Sequence, residues 1–478
     1  WQIILHFTVM LAAGAGAIYE FGVFQAAWPA LKLQILAKVD FPVLTLLMVL
    51  FKTIGLPYFV LAATSPIIQA WYGRAGLGEP YKLYSISNLG SLLAIALYPF
   101  VFEPWLTVAF QARSWLLGFL VFILLLAAAG LKFLKMSSAA AKASAQFSPA
   151  AQPPEKISLK TKLTWLGLAL LPAMMLLTAT TRLIKSIAAV PFLWLLPLAV
   201  YLLTFIICFS PRKKVMAKFY AFVFVVLAAL LGFFNFLPVH FLFLIFAEVL
   251  VFGGGAMLCH TKLYESRPGF NQLTLYYLYI SLGGALGAAL IALVAPAVFS
   301  GYYEYGLVFS AVLALALFLT RKEIRELYGL FKWKTLGLCL LIILAVLLNS
   351  LNVFINRGEV RGQVISRSRN FFGTLEVKKV LTADGEVVRL INGKILHGAQ
   401  MLAPEKSSLP TAYYSEESGA GLITRAKQKT GRAGRVGVVG LGAGTMAAYC
   451  RSGDSYTFYD INPKVVEIAN RDFSFLKQ

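Results

Sequence analysis

Apolar stretches close to the length of a bilayer crossing recur from the first residues to about residue 355, and they constrain the fold more than any other feature. A membrane-spanning helix needs about 20 largely apolar residues, because hydrocarbon offers no partner to a backbone N–H or C=O. Eleven segments meet or approach that requirement: 2–24, 43–72, 85–102, 114–134, 163–181, 190–210, 219–236, 238–259, 273–299, 307–320 and 335–355. The second is too long for one straight crossing. It carries Lys52 and the helix breaker Pro57, and predicts two broken pieces. Trp28, Trp71, Tyr72, Trp105 and Trp165 fall near segment ends, where aromatic rings favour the headgroup layer.

Of the 478 residues, 59% are hydrophobic and 13% charged, against about 25% charged in an ordinary soluble protein. This excludes a water-soluble globule for most of the chain, and it excludes intrinsic disorder, which needs low hydrophobicity. Residues 1–355 hold 25 Lys/Arg and 10 Asp/Glu, whereas residues 356–478 hold 18 and 11. The contrast predicts a polytopic α-helical membrane bundle followed by a soluble domain, with the lipid bilayer as a partner. Residues 135–162, rich in Ala, Ser, Pro and Lys, read as a basic linker. It separates membrane helices 1–4 (residues 1–134) from helices 5–11 (residues 163–355). The chain opens at Trp1 inside an apolar segment without a signal peptide, which predicts that first residues are missing. Cys208, Cys259 and Cys339 lie in apolar stretches and Cys450 in the soluble part. Their spacing supports neither a disulfide framework nor a metal site.

Loops after the even-numbered segments hold about four times as many Lys and Arg as the opposite loops, which carry Lys32, Lys38, Arg113, Arg182 and Lys185. The positive-inside rule places the richer set in the cytoplasm, and explains the basic excess without nucleic acid. If 335–355 crosses once more, the soluble domain emerges on the non-cytoplasmic side.

After Phe354 the texture changes. Residues 370–400 read as short strands with turns at Asp384-Gly385 and Asn392-Gly393, dipeptides that supply the positive φ of tight hairpins. Residues 356–434 thus form a β-hairpin lobe and the loop that follows it. From Arg435 a buried strand, RVGVVGLG, runs into Gly440, Gly442 and Gly444. A helix from about Thr445, a strand YTFYD and a helix starting at Pro463 complete residues 435–478, the start of a nucleotide-binding α/β domain. Alternate glycines let a ligand approach the backbone, and a helix N-terminus favours negative charge. Asp460 ends the second strand, 20 residues after Gly440, where a carboxylate accepts both hydroxyls of a ribose. The spacing is GxGxG; a dinucleotide GxGxxG needs glycine where Thr445 stands, so a nucleoside-sulfonium ligand fits better than NAD. The alternative is a tight turn whose glycines only permit close packing.

GRAGRVGVVGLGAGTMAAYC, with YTFYDINPKVVEIA, resembles the cofactor-binding half of spermidine synthases, which have the class I methyltransferase fold. RNFFGTLEV, LINGKILHGAQML and LPTAYYSEESGAGL resemble that family's β-hairpin lobe and following loop. LPYFVLAATSPIIQAWYGR, LYSISNLGSLLA and CHTKLYESRP resemble the membrane part of bacterial multi-pass proteins fused to such a domain, so nearly the whole chain is covered. The resemblance implies an inner-membrane protein with a partial Rossmann-like sheet. It also implies aminopropyl transfer from decarboxylated S-adenosylmethionine, or S-adenosylmethionine itself as ligand, to a small amine or polyamine, without a metal. Gly440, Gly442 and Gly444 match the family's glycine loop, Asp460 its ribose acid and Gln400 the glutamine after its hairpin. Tyr414 and Glu416 match its Tyr-His-Glu step, in which Ser415 here replaces the histidine; Asn392 stands where soluble members carry aspartate. The family's catalytic aspartate would lie beyond Gln478, and the full sheet would need on the order of a hundred further residues, so this chain alone is expected to be inactive. S-adenosyl donors are made in the cytosol, which argues for a cytoplasmic domain and against the charge pattern.

Ionisable groups inside a membrane are costly and default to functional candidates. Glu20, Lys52, Glu248 and His260 qualify, with Asn88 as a polar companion. Glu248, the deepest, suits a substrate or proton role, or a structural pair with a basic or hydroxyl partner. Lys52 is expected to reach an interface along its stem, and His260 to sit at an interface where its segment ends. Arg182 and Lys185 are expected to touch headgroups or bind an anion. Gly283 and Gly287 form a GxxxG pattern for close helix packing. Three function classes follow: a membrane-tethered aminopropyltransferase-like enzyme, a transporter or sensor whose soluble domain binds a nucleoside or polyamine, and a scaffold with a degenerate glycine loop.

Overall fold

The structure is a computed structural model that describes residues 4–19, 42–144, 157–186, 191–210, 216–234, 240–330, 362–393 and 395–477. Glu20 and the predicted segment 335–355 lie outside the described residues. The first helix, α1, is Ile4–Tyr19. Next, α2 (Pro42–Leu50) passes through a π-turn (Phe51–Gly55) into α3 (Leu56–Arg74). The predicted break does not occur. Pro57 follows directly on the π-turn, whose wider winding takes up the irregularity left by the proline's missing N–H, and the helix runs on unbroken. Then follow α4 (Tyr81–Leu97), α5 (Glu103–Trp105), α6 (Val108–Ser144), α7 (Leu159–Ser186), α8 (Pro191–Cys208) and α9 (Ala217–Phe234). The series ends with α10 (Phe241–Glu265), α11 (Leu273–Ala289), α12 (Ala295–Val298), α13 (Glu304–Leu319) and α14 (Arg321–Leu330). The predicted linker starts later than expected: α6 runs on to Ser144, because Ala139–Ala141 favours helix.

Seven helical spans are long and apolar enough to cross a membrane, accompanied by the shorter apolar helices Ile4–Tyr19, Trp194–Cys208 and Glu304–Leu319. Large apolar side chains such as Leu44 and Leu47 on α2 and Leu117, Leu124 and Leu125 on α6 are exposed, a pattern tolerable in lipid and not in water. Met175, Phe224, Phe252 and Phe309 centre a core shared by α7, α9, α10 and α13, while Met10, Trp71 and Phe119 centre one shared by α1, α3 and α6. The two sets interlock through α4, whose Tyr84 ring lies 5.3 Å from Phe205 and whose Ser85 donates to the Ile206 carbonyl at 3.0 Å. At Gly283 and Gly287, α11 touches α7 backbone. A Cβ would come within 2.5 Å of the Leu166 carbonyl oxygen and 2.6 Å of that of Leu170.

In the C-terminal part, β1 (Gln363–Asn370), β2 (Gly373–Thr382), β3 (Gly385–Asn392) and β4 (Ile395–Met401) form an antiparallel meander. Thr382 pairs with Gly385 around a two-residue turn, Ala383-Asp384, so Gly385, at φ +113°, stands one residue past the turn on β3. Asn392 pairs with Ile395, with Gly393 in the turn at φ +62° as predicted. A helix α15 (Gly419–Gln428) follows, then two parallel strands, β5 (Arg435–Val439) and β6 (Ser455–Tyr459), with Val438 opposite Phe458. Where the sequence predicts a helix between them there is only a five-residue 3₁₀ turn, Thr445–Tyr449. Cys450 is extended, and Asp454 accepts from the Gly434 and Arg451 amides, pinning the return so soon that no longer helix fits. A final helix α16 (Pro463–Asp472) starts on its proline, capped by Asn462 accepting from the Lys464 amide at 3.1 Å. Leu375, Val377, Val388 and Leu390 pack with Leu441, Ile468 and Phe475, so one core joins the antiparallel sheet, the glycine turn and α16. A sheet wider than the β5–β6 pair is not found in the parallel unit among the described residues.

Candidate functional site

The glycine turn lies at the carboxyl ends of β5 and β6, the place where ligands of parallel α/β units bind. Gly440, Gly442 and Gly444 have φ of +94°, +57° and +83°, conformations that a side chain would strain. Their surroundings differ. A Cβ on Gly442 would meet the His397 carbonyl oxygen at 2.5 Å, and one on Gly444 would meet Leu476 at 3.2 Å, so these two permit packing. A Cβ built on Gly440 would meet nothing within 4 Å, so of the three only this glycine has open space on that side, while its amide donates to the Tyr459 carbonyl at 2.7 Å. Asp460 Oδ2 accepts from the Leu441 amide at 2.9 Å and Oδ1 from the Asn462 amide at 2.9 Å. Each carboxylate oxygen has a second lone pair, so the side chain that fixes the turn can also accept from a diol.

Gln400 is buried and bound to protein: its amide donates to the Ser407 carbonyl at 2.8 Å and to Ser474 Oγ at 2.6 Å, and its oxygen accepts from the Ser474 amide at 2.9 Å. Both of its N–H groups are thereby used. Tyr414 is tied to the turn through its carbonyl, which accepts from Tyr449 Oη at 2.6 Å. Glu416 forms a surface pair with Arg425 at 2.6 Å. The fold therefore gathers Gly440, Gly442, Gly444, Asp460, Gln400 and Tyr414 around the ends of β4, β5 and β6. His397 joins them, and sequence reasoning missed it. Burial holds its imidazole below its ordinary pKa, and the Asp460 carboxylate opposes that shift. A cleft of about 320 Å³ lies between Lys427, Arg432, Arg435 and Arg451, at the opposite end of β5.

Inside the bundle, Glu248 of α10 pairs with Arg182 of α7, Nε to Oε1 2.6 Å, with side chains 11% and 24% exposed. The guanidinium lies 4.6 Å from the ring centre of Tyr305. With Thr178 and Phe309 these groups border a narrow cleft of about 20 Å³, room for about one water molecule. Glu248 thus has the basic partner anticipated for a structural pair, and Arg182 meets that carboxylate in place of the expected headgroup or free anion. His260, near the close of α10, is fully buried in the protein, stacked on Phe205 at 3.6 Å, with Nδ1 2.8 Å from Thr204 Oγ1. Its Nε2 has no hydrogen-bond partner among the described residues. Asn88 donates to the Tyr84 carbonyl at 2.8 Å, Lys52 is exposed within the π-turn, and the Lys185 side chain and Glu20 lie outside the described residues. No group of three or more His, Cys, Asp or Glu stands ready for a metal among the described residues.

A second pair that the sequence did not announce joins the two parts of the molecule. Arg369 of β1 donates to Glu304 at the start of α13 through both terminal nitrogens, at 3.0 and 2.8 Å, with each side chain 5% exposed. It also donates to the Gly301 carbonyl and lies 4.2 Å from the Tyr302 ring centre. Bidentate geometry, two charges and burial make this a strong contact of defined orientation. No protein family, curated protein or solved structure matches the chain.

Proposed function

We propose that the chain is a multi-pass inner-membrane protein of about eleven crossings whose C-terminal domain is spermidine-synthase-like. In this reading it binds decarboxylated S-adenosylmethionine or a related S-adenosyl nucleoside, with a small amine or polyamine as acceptor. The observation that supports it is the pairing of open space at Gly440 with the Asp460 carboxylate at the ends of two parallel strands. Asp460 holds the ribose diol while Gly440 admits the nucleoside against the backbone. In the transfer itself, a neutral amine forms a C–N bond as the C–S bond to the sulfonium breaks and the thioether leaves with the electron pair. That reaction depends mainly on alignment of nitrogen, carbon and sulfur. The test is equilibrium dialysis of labelled decarboxylated S-adenosylmethionine with the detergent-purified protein and its Asp460→Asn variant. Saturable binding weakened at least tenfold by the substitution is expected; absence of binding to the unsubstituted protein overturns the reading. A second reading, a transporter or sensor, is favoured by the Arg182–Glu248 pair beside a cleft in the bundle, and predicts polyamine flux in proteoliposomes.

A further inference from the structure

We infer that the C-terminal domain is seated on the non-cytoplasmic end of the bundle, so that the glycine-turn site takes its ribonucleoside ligand from that compartment. The nature of the ligand rests on the function proposed above; the seat of the domain rests on contacts alone.

The element that relates the domain to the two faces of the bundle is α13. Its sixteen residues span about 24 Å. At the first residue, Glu304 grips Arg369 of β1, with both side chains 5% exposed. Just beyond the last, Glu323 of α14 pairs with Lys218, which opens α9. The second end belongs to a connected face. Glu265, closing α10, accepts from the Ala217 amide at 2.9 Å. Trp165 near the start of α7 donates to the Ser266 carbonyl at 3.0 Å, and Tyr81 at the start of α4 donates to the Pro268 carbonyl at 2.6 Å. These hydrogen bonds hold together the chain ends and loops that contain Arg74, Lys160, Lys262, Arg267 and Arg321, the basic set. The opposite end of the same helices carries Arg182 near the close of α7, together with the loop that ends at Glu304, which has no Lys or Arg between Val298 and Glu304.

Positive residues mark the cytoplasmic face of a membrane protein. The domain is clamped to the other end, about 24 Å away along α13. Arg369 and Glu304 fix that seat whatever path residues 331–361 take. The interdomain contact gives the end of the bundle on which the domain sits, the charge asymmetry gives the compartment that end faces, and the proposal needs both. A domain in that position cannot draw on the cytosolic pool of S-adenosyl donor directly, so its ligand is a ribonucleoside present outside or delivered through the bundle.

Cys450 provides a natural reporter, being an exposed free thiol in this domain, whereas Cys208 and Cys259 are buried. In a Cys339→Ser background, intact spheroplasts are treated with a membrane-impermeant maleimide, then compared with permeabilised ones. Cys450 is expected to label fully before permeabilisation, and an added cysteine in the Lys322→Cys variant only after it. Ser452→Cys replaces Cys450 as reporter if the latter reacts in neither state, and Cys450→Ser sets the background. The reversed pattern overturns the proposal. Detergent-solubilised protein that fails to bind the nucleoside removes the ligand reading and leaves the seat standing. Labelled decarboxylated S-adenosylmethionine added outside intact spheroplasts should be captured as well as by solubilised protein; capture only after permeabilisation overturns the inference.

Discussion

Removal of the Glu304 carboxylate is the sharpest perturbation of the junction between membrane bundle and soluble sheet. In the native protein Arg369 makes two charged hydrogen bonds to it from a setting that is 5% exposed. Glu304→Ala leaves the guanidinium held by the Gly301 carbonyl and the Tyr302 ring, without its counter-charge. Breaking a buried pair from one side costs about 3–5 kcal/mol, chiefly because a charge is left without compensation. At about 1.4 kcal/mol per factor of ten, the docked-to-undocked ratio should drop by roughly two to three and a half orders of magnitude. Arg369→Ala should do the same from the other side, while the double variant removes the stranded charge and should be milder than the sum of the two. The assay is hydrogen exchange of amides in Gly301–Tyr303 and β1, combined in a double-mutant cycle. A coupling energy within the range of about 0.5–3 kcal/mol for groups in direct contact is expected. It should survive 0.5 M salt, because buried pairs are little screened. Additive effects, or single variants that exchange like the native protein, would refute the claim that this pair holds the domain.

Gly283→Leu should force α11 off α7, because the Leu166 carbonyl oxygen stands 2.5 Å from where a Cβ would sit, lowering thermal stability by about 1–3 kcal/mol or more. Gly284→Leu, with nothing within 4 Å, should leave the melting temperature in detergent nearly unchanged. Arg182→Ala should strand Glu248 and destabilise the bundle by about 3–5 kcal/mol, while Arg182→Met with Glu248→Met should recover most of that loss in thermal unfolding. For Asp460→Asn, loss of the charged acceptor for the Leu441 and Asn462 amides should cost about 1–3 kcal/mol in denaturant unfolding, besides its effect on nucleoside binding. His397 makes stability pH-dependent. Its native pKa lies below the ordinary 6.5, so its contribution is complete above 6.5 and is lost as pH falls from there toward the native value. Stability measured from pH 7.5 to 5 should therefore decline, and His397→Gln should flatten that portion of the curve.

The long apolar helices were legible because length and apolarity are local properties of each segment, whatever the neighbours are. Hairpin turns were equally local, since Asn392-Gly393 and Asp384-Gly385 state their backbone preference within two residues. Pairing in space was not legible. Arg182 and Glu248 come from α7 and α10, and Arg369 and Glu304 from separate parts of the molecule; no periodicity links them. A lone acid at the first residue of an apolar helix was the available signal for Glu304. His260 closes an apolar segment in sequence, yet the packing of α8 against α10 encloses it with Thr204. The expected helix after Gly444 failed for a related reason, because the distance available for it is set by Asp454, which ties the far end of the turn to Gly434 and Arg451.

The first two residues of α13 serve different masters. Glu304 engages the sheet, and Tyr305 lies against the Arg182 guanidinium inside the bundle. Successive residues of a helix are about 100° apart on one rigid turn. Glu304 and Tyr305 therefore link the soluble sheet and the buried ion pair through one turn of helix. Whatever free energy couples a ligand at the sheet to the state of the ion pair acts with equal magnitude in both directions.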